Sequence, residues 1–195
     1  MDYSKEAVKT NWRMAKKTAD PDFALVRAIA LGDARAMDKL YTRHGPGLIA
    51  YLSSRLRNRQ WAEEVLQEVM LAVWQGAGGF RGDSRVLTWL MTIARNRMIN
   101  ALKRDKSQYD QAFEEDTGSI LDQNDAVIEH NDQLNELRSA LSKLPDEQRE
   151  TLELVFIHGL SNHETAAVLG IPTGTVKSRL FRAKARLREW LEERE

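Results

Sequence analysis

Six basic side chains, Lys177, Arg179, Arg182, Lys184, Arg186 and Arg188, fall between Thr175 and Arg188 with no acid among them. Such a run neutralises phosphate and releases counterions, which is the main sequence-independent source of nucleic-acid affinity. Val176, Leu180, Ala183, Leu187 and Trp190 recur at i, i+4, i+7, i+11 and i+14 and form one apolar stripe of a helix. Lys177, Ser178, Phe181 and Arg182 point away from that stripe. An arginine there can bind guanine at two acceptors, and an apolar ring can touch a thymine methyl. Ser161, Gly174 and Thr175 stand near helix starts, where phosphate is bound, while Arg179 adds general charge beside Lys184, Arg186 and Arg188. This is the chemistry of reading duplex DNA, with no bond made or broken.

Those side chains need a rigid mount. Ser161 with Glu164 three residues on is a capping box that opens a helix. Ala166, Gly170 and Val176 fall where a helix-turn-helix needs a small contact residue, a tight turn and a buried anchor. The competing reading is an ordinary solvated amphipathic helix, and the agreement of cap, turn and stripe argues against it. The tail by itself fits a repressor, a response regulator or another DNA-binding protein equally.

The chain has 195 residues, room for one large or two small domains. Its zero net charge hides a segregation. Residues 1–20 carry 5 basic and 3 acidic groups, 21–104 carry 13 and 7, 105–133 carry 1 and 9, and 134–195 carry 10 and 10. The basic charge is thus local, and a neutral total does not exclude nucleic acid. There is no cysteine, which removes disulfides, thiolate metal sites and a thiol switch within these residues. No apolar run has the length of a membrane span and residues 1–20 lack a signal-peptide core, so the expectation is a cytoplasmic protein without membrane insertion.

Helical periodicity runs through the chain and no alternating strand is found, so the fold class expected is all-α. The spacing predicts helices from residue 25 to Gly32-Asp33, over 34–41, 47–56, 61–75 and 86–104, and again over 146–158. Pro21, Pro46, Pro145 and Pro172 are read as boundaries. Between the halves the composition turns polar and acidic, as in a flexible linker. Helical pattern resumes with Leu134, Leu137, Leu141 and Leu144. The layout is an N-terminal extension (1–20), a helical bundle (21–104), an acidic linker (105–131) and a domain ending in the helix-turn-helix (132–195).

Several segments, in order, resemble one family: Leu31-Gly-Asp33, Leu40-Tyr41, Ala62-Glu-Glu-Val-Leu-Gln-Glu-Val69, Val73-Trp74, Thr88-Trp-Leu-Met-Thr-Ile-Ala-Arg-Asn96, Leu144-Pro-Asp-Glu-Gln-Arg149 and Gly174-Thr-Val-Lys-Ser-Arg-Leu-Phe-Arg-Ala183. Together they resemble the extracytoplasmic-function (group 4, sigma-70 family) sigma factors, promoter-specificity subunits of bacterial RNA polymerase, over about residues 22–190. The resemblance implies that the first domain binds core polymerase and opens the −10 element and that the second binds the −35 element. It also implies contacts with the clamp helices of the largest subunit and the −35-side flap, and an anti-sigma factor that occludes the core-binding faces.

In 62–75 the stripe Ala62, Val65, Leu66, Val69 and Val73 can face a core. Glu64, Gln67, Glu68, Leu71 and Gln75 then lie outward, and by resemblance form the polymerase-binding face. The loop 76–85 is glycine-rich and basic. Its Phe80 either anchors the loop in the core or stacks on a base, and Arg81, Asp83, Ser84 and Arg85 can rim a pocket for an extruded base. On the following helix Arg95, Asn96, Asn100, Lys103 and Arg104 are placed for phosphate and base contact, while Trp89 and Ile93 are expected to be structural. The acidic linker is read either as a plain spacer or, by resemblance, as a segment that threads polymerase channels.

His163-Glu164 begins like a zinc-protease helix, but position 167 is Ala, and His158 and His163 are not at ligand spacing on a helix. No nucleophile–base–orienter set and no phosphate-cradling glycine loop is found. The expectation is therefore no catalytic residue, no metal and no cofactor. Two rival readings stand beside the sigma factor. One is a helix-turn-helix regulator that binds duplex DNA independently of polymerase; the other is a protein-binding adaptor, which leaves the basic helix unexplained.

Overall fold

The computed structural model describes residues 20–56, 58–112 and 140–192, and among them all regular structure is helical. The chain divides into two compact units, Met1–Asp116 and Thr117–Glu195. In the first, α1 (Phe23–Ala30) buries Val26 and Ile29. Gly32, at φ +87°, turns the chain, and Asp33 caps the next helix by accepting from the N–H groups of Arg35 (2.8 Å) and Ala36 (3.2 Å). The Leu-Gly-Asp segment is thus a stop signal followed by a start signal.

The next element corrects the sequence reading. Where Pro46 predicted a break, α2 is one continuous helix, Ala34–Leu56, with the proline inside it. An internal proline removes one backbone hydrogen bond and costs about 3 kcal/mol or more. Burial on both sides of it outweighs that cost: Ala36 and Leu40 before, Leu48, Tyr51, Leu52 and Leu56 after, with each large apolar side chain contributing about 1.5–3 kcal/mol.

α3 (Arg59–Gly76) starts at Asn58, whose side chain accepts from the Trp61 N–H at 2.9 Å. It buries the expected stripe Ala62, Val65, Leu66, Val69 and Val73. A 3-10 turn (Ala77–Gly79) leads to the loop before α4 (Val86–Ala112). α4 packs on both α2 and α3 and buries Val86, Leu90, Met91, Ala94, Met98 and Ala101. It runs eight residues beyond the predicted end at Arg104, because no glycine or proline interrupts 105–112. The expected linker therefore begins as helix; residues 113–131, like Leu134 and Leu137, lie outside the described residues.

In the second unit, α5 (Asp146–Phe156) follows Pro145, and α6 (Asn162–Leu169) and α7 (Thr173–Glu192) complete the described residues. Their core is Leu144, Leu152, Ala166, Val176, Leu180 and Ala183, flanked by Leu141, Val155, Ile171 and Leu187.

Candidate nucleic-acid interface and partner-binding face

The capping box at the head of α6 is complete. Ser161 Oγ accepts from the Glu164 N–H at 3.2 Å, while Ser161 donates through its N–H (2.8 Å) and its hydroxyl (2.7 Å) to Glu164 Oε2. The Ser161 donors expected to meet phosphate are thus engaged with Glu164, whose carboxylate lies beside them. Gly170, at φ +68°, ends α6 in the left-handed conformation that favours glycine. The Ile171 N–H donates back to the Ala166 carbonyl at 3.1 Å and closes the turn.

α7 then presents two chemically distinct faces. Val176, Leu180 and Ala183 are buried, while Gly174, Lys177, Phe181 and Arg182 are exposed and Ser178 is half-buried. Phe181 is 76 % exposed, so its ring is available to a partner. Arg182 Nη2 donates to Ser178 Oγ (3.3 Å), whose hydroxyl donates to the Thr175 carbonyl (3.0 Å). The Thr175 N–H donates to the Pro172 carbonyl at 2.9 Å, which leaves its hydroxyl as the group that could meet phosphate.

Arg179 is engaged within its own unit. Its side chain is 17 % exposed, and Nη2 lies 2.5 Å from Glu147 Oε2 on α5. The charge expected to face DNA also braces α7 against α5. Lys184 sits over the Phe156 ring at 4.9 Å, a cation–π contact on the same side.

In the first unit, Glu64, Gln67, Leu71 and Gln75 are exposed on α3. Leu71 is 57 % exposed and Trp74 is also exposed, so this outer face mixes acids and amides with bare apolar surface. Glu68 is tied down: Arg104 Nη2 lies 2.7 Å from its Oε1. That bond joins one residue expected to bind polymerase to another expected to bind DNA. Alongside runs a groove of about 940 Å³ between α2 and α3, lined by Met37, Tyr41, Ile49, Leu66, Gln67 and Met70 among others. The sequence reading did not single out this groove; the spacing of Glu63, Gln67 and Met70 on α3 was the available signal.

Phe80 resolves its two alternatives in favour of the core. It is 8 % exposed, stacks on Trp89 at 4.8 Å and meets Phe23 at 6.0 Å. Burial removes it from the surface a base can reach, and Trp89 is structural as expected. Arg81, Asp83, Ser84 and Arg85 are exposed around Gly82, which has φ +71°. Asn96, Asn100, Lys103 and Arg104 line one exposed face of α4, with Arg95 half-buried beside them. Also missed in the sequence was buried Asp22, which accepts from the Arg43 guanidinium and lies 2.7 Å from His44 Nε2. Among the described residues no helix is long and apolar enough to cross a membrane.

Comparison with known proteins places these surfaces in a family. The sigma-70 region 2 family model matches residues 40–108, and the sigma-70 region 4 model matches 134–187. The ECF RNA polymerase sigma factor SigM of Mycobacterium tuberculosis is 37 % identical over 166 residues, covering 85 % of this chain and 82 % of the relative. The ECF RNA polymerase sigma factor RpoE of Cereibacter sphaeroides is 37 % identical over 168 residues, covering 85 % and 92 %. Among solved structures, CnrH in complex with the cytosolic domain of CnrY superposes with a TM-score of 0.65 at 28 % identity, covering 90 % of this chain and all of that one. RpoE in complex with the anti-sigma factor NepR from Bartonella quintana gives 0.60 at 27 % identity, covering 80 % and 96 %. With both regions matched in order and relatives this similar over most of their length, the chain belongs to the extracytoplasmic-function sigma factors of the sigma-70 family.

Proposed function

We infer that this chain binds core RNA polymerase and directs promoter-specific initiation through −10 and −35 elements, carrying out no reaction of its own. The observation that carries the reading is α7: it buries Val176, Leu180 and Ala183 and turns Lys177, Ser178, Phe181 and Arg182 outward, in a chain whose other unit matches region 2. A stand-alone regulator has no use for that first unit. Residues 21–104 then serve as the core-binding and −10 domain, 132–195 as the −35 domain, and the acidic 105–131 segment as the tether.

In this reading the outer face of α3, through Glu64, Gln67, Glu68, Leu71 and Gln75, docks on the clamp helices of the largest subunit. Its exposed leucine and acids fit a mixed apolar and basic partner. Arg81, Asp83, Ser84 and Arg85, with Arg95, Asn96, Asn100, Lys103 and Arg104, meet the separated −10 strand. Lys177, Ser178, Phe181 and Arg182 read the −35 duplex with Gly174 close to its backbone, and the same unit meets the −35-side flap. One solved relative is in complex with the anti-sigma factor NepR, and the α2–α3 groove beside the core-binding face supports the same control here, in the cytoplasm.

Run-off transcription tests it. Core polymerase and this protein together, on a library of genomic fragments, should give discrete start sites that neither gives alone. Tight duplex binding without polymerase, with start sites unchanged by adding the protein, would establish the independent regulator instead.

A further inference from the structure

α4 begins badly by its local sequence. The residue before Val86 is Arg85, where Ser, Thr, Asp or Asn is preferred, and a cation there opposes the positive end of the helix. The missing acceptor comes from far upstream. Asp20 Oδ2 accepts from the Val86 N–H at 2.7 Å, across a separation of 66 residues. The other oxygen, Oδ1, accepts from the Asp22 N–H at 2.9 Å, and the Asp20 carbonyl accepts from the Phe23 N–H at 3.1 Å, starting α1. Asp22 is held in turn by Arg43 and His44 of α2. One short segment, Asp20-Pro21-Asp22, therefore joins the starts of α1 and α4 to the middle of α2.

We propose that Asp20 is a positioning residue for −10 recognition: it fixes the loop 81–85 and the first turn of α4 in the register that meets the separated strand. The loop is held at two points. Phe80, buried between Phe23 and Trp89, fastens its entry, and Asp20 fastens its exit. Between them Arg81, Asp83, Ser84 and Arg85 are exposed around a glycine at φ +71°. The carboxylate also places negative charge at the positive end of the helix. Core-binding residues on the outer face of α3 take no part in this junction, so its loss should separate the two activities.

The inference rests on the reading of the loop as the −10 contact, and the test separates the two. Full-length Asp20→Ala, Asp20→Glu, Asp20→Asn and Arg81→Ala are assayed with core polymerase on a mapped promoter and on versions with one −10 or one −35 base changed. Asp20→Ala should shrink the preference for the native −10 base about five- to tenfold, the equilibrium factor that a helix cap is worth. The −35 preference and core affinity should stay within about twofold, a variation that leaves no room for loss of a cap. Asp20→Asn keeps an acceptor oxygen and should retain most of the −10 preference. Asp20→Glu displaces the carboxylate by one methylene, should fall between, and reads the position if the alanine variant does not fold. Equal loss of −10 preference, −35 preference and core affinity would mean a general structural role and overturns the proposal, as does an unchanged −10 preference in Asp20→Ala while Arg81→Ala impairs it. If neither Arg81→Ala nor Asp20→Ala alters −10 preference, the −10 reading of the loop itself fails.

Discussion

Arg179 and Arg182 are three residues apart on α7 and chemically identical, yet they should fail in different assays. Arg179 is 17 % exposed and bonded to Glu147, which is 72 % exposed. Solvent around the glutamate screens the pair, so its electrostatic worth is about 0.2–1 kcal/mol. The packed arginine stem adds to that, and Arg179→Ala should cost about 1 kcal/mol in all. For a domain of this size that lowers the midpoint of thermal unfolding by about 4–8 °C. Arg182 is exposed, and its bond to Ser178 at 3.3 Å is long. Arg182→Ala should shift the midpoint by no more than about 2–4 °C, since exposed substitutions of this kind fall within about 0.5 kcal/mol. It should nevertheless cost about 1–3 kcal/mol at one −35 base pair if the guanidinium reads guanine. Circular dichroism melts of the full-length variants, set beside run-off transcription on promoters altered base by base in the −35 element, measure both quantities. An Arg182→Ala midpoint as low as that of Arg179→Ala, or loss of −35 discrimination in Arg179→Ala with an unchanged melt, would refute the division of labour.

Phe80→Ala should destabilise the first unit by about 3–5 kcal/mol, the usual cost of deleting a buried aromatic, visible as an early unfolding transition; a stable variant impaired only in promoter opening would return Phe80 to the DNA surface. Thr165 is fully buried and its hydroxyl has no hydrogen-bond partner, so Thr165→Val should hold or raise stability, by up to about 1–3 kcal/mol, and a clearly lowered melt would show a bond that the structure lacks. Gly170→Ala should cost about 1–2 kcal/mol from the left-handed backbone alone, since a Cβ there meets nothing within 4 Å, and should weaken −35 binding only in proportion to unfolding.

The helix-turn-helix was legible because its signals are local. A capping box, a glycine turn and an apolar stripe all lie within Ser161–Trp190, and each is a matter of backbone stereochemistry or helical period. The α3 stripe was legible for the same reason. What stayed hidden depends on contacts distant in sequence. Pro46 reads as a breaker until the burial of Leu40, Leu48 and Leu52 is known, and Arg179 reads as free charge until Glu147, 32 residues away, is placed beside it. Ser161 is different: its cap was foreseen, but not that capping and phosphate binding compete for the same donors. Nothing near Arg85 in sequence points to a cap at Asp20.

The ion pair between Glu68 and Arg104 has a thermodynamic consequence. If polymerase takes the glutamate and the promoter strand takes the arginine, each partner gives up the same intramolecular bond. Whichever arrives first bears the cost of breaking it, and the second no longer has that bond to break. Linkage makes the benefit reciprocal, and its size cannot exceed what the pair is worth in the free chain, about 0–1 kcal/mol for so exposed a bridge. A factor of about five at most is too small for a switch. It is enough to favour a doubly occupied subunit over two singly occupied ones, so that core enzyme and promoter cooperate on this subunit through one shared bond.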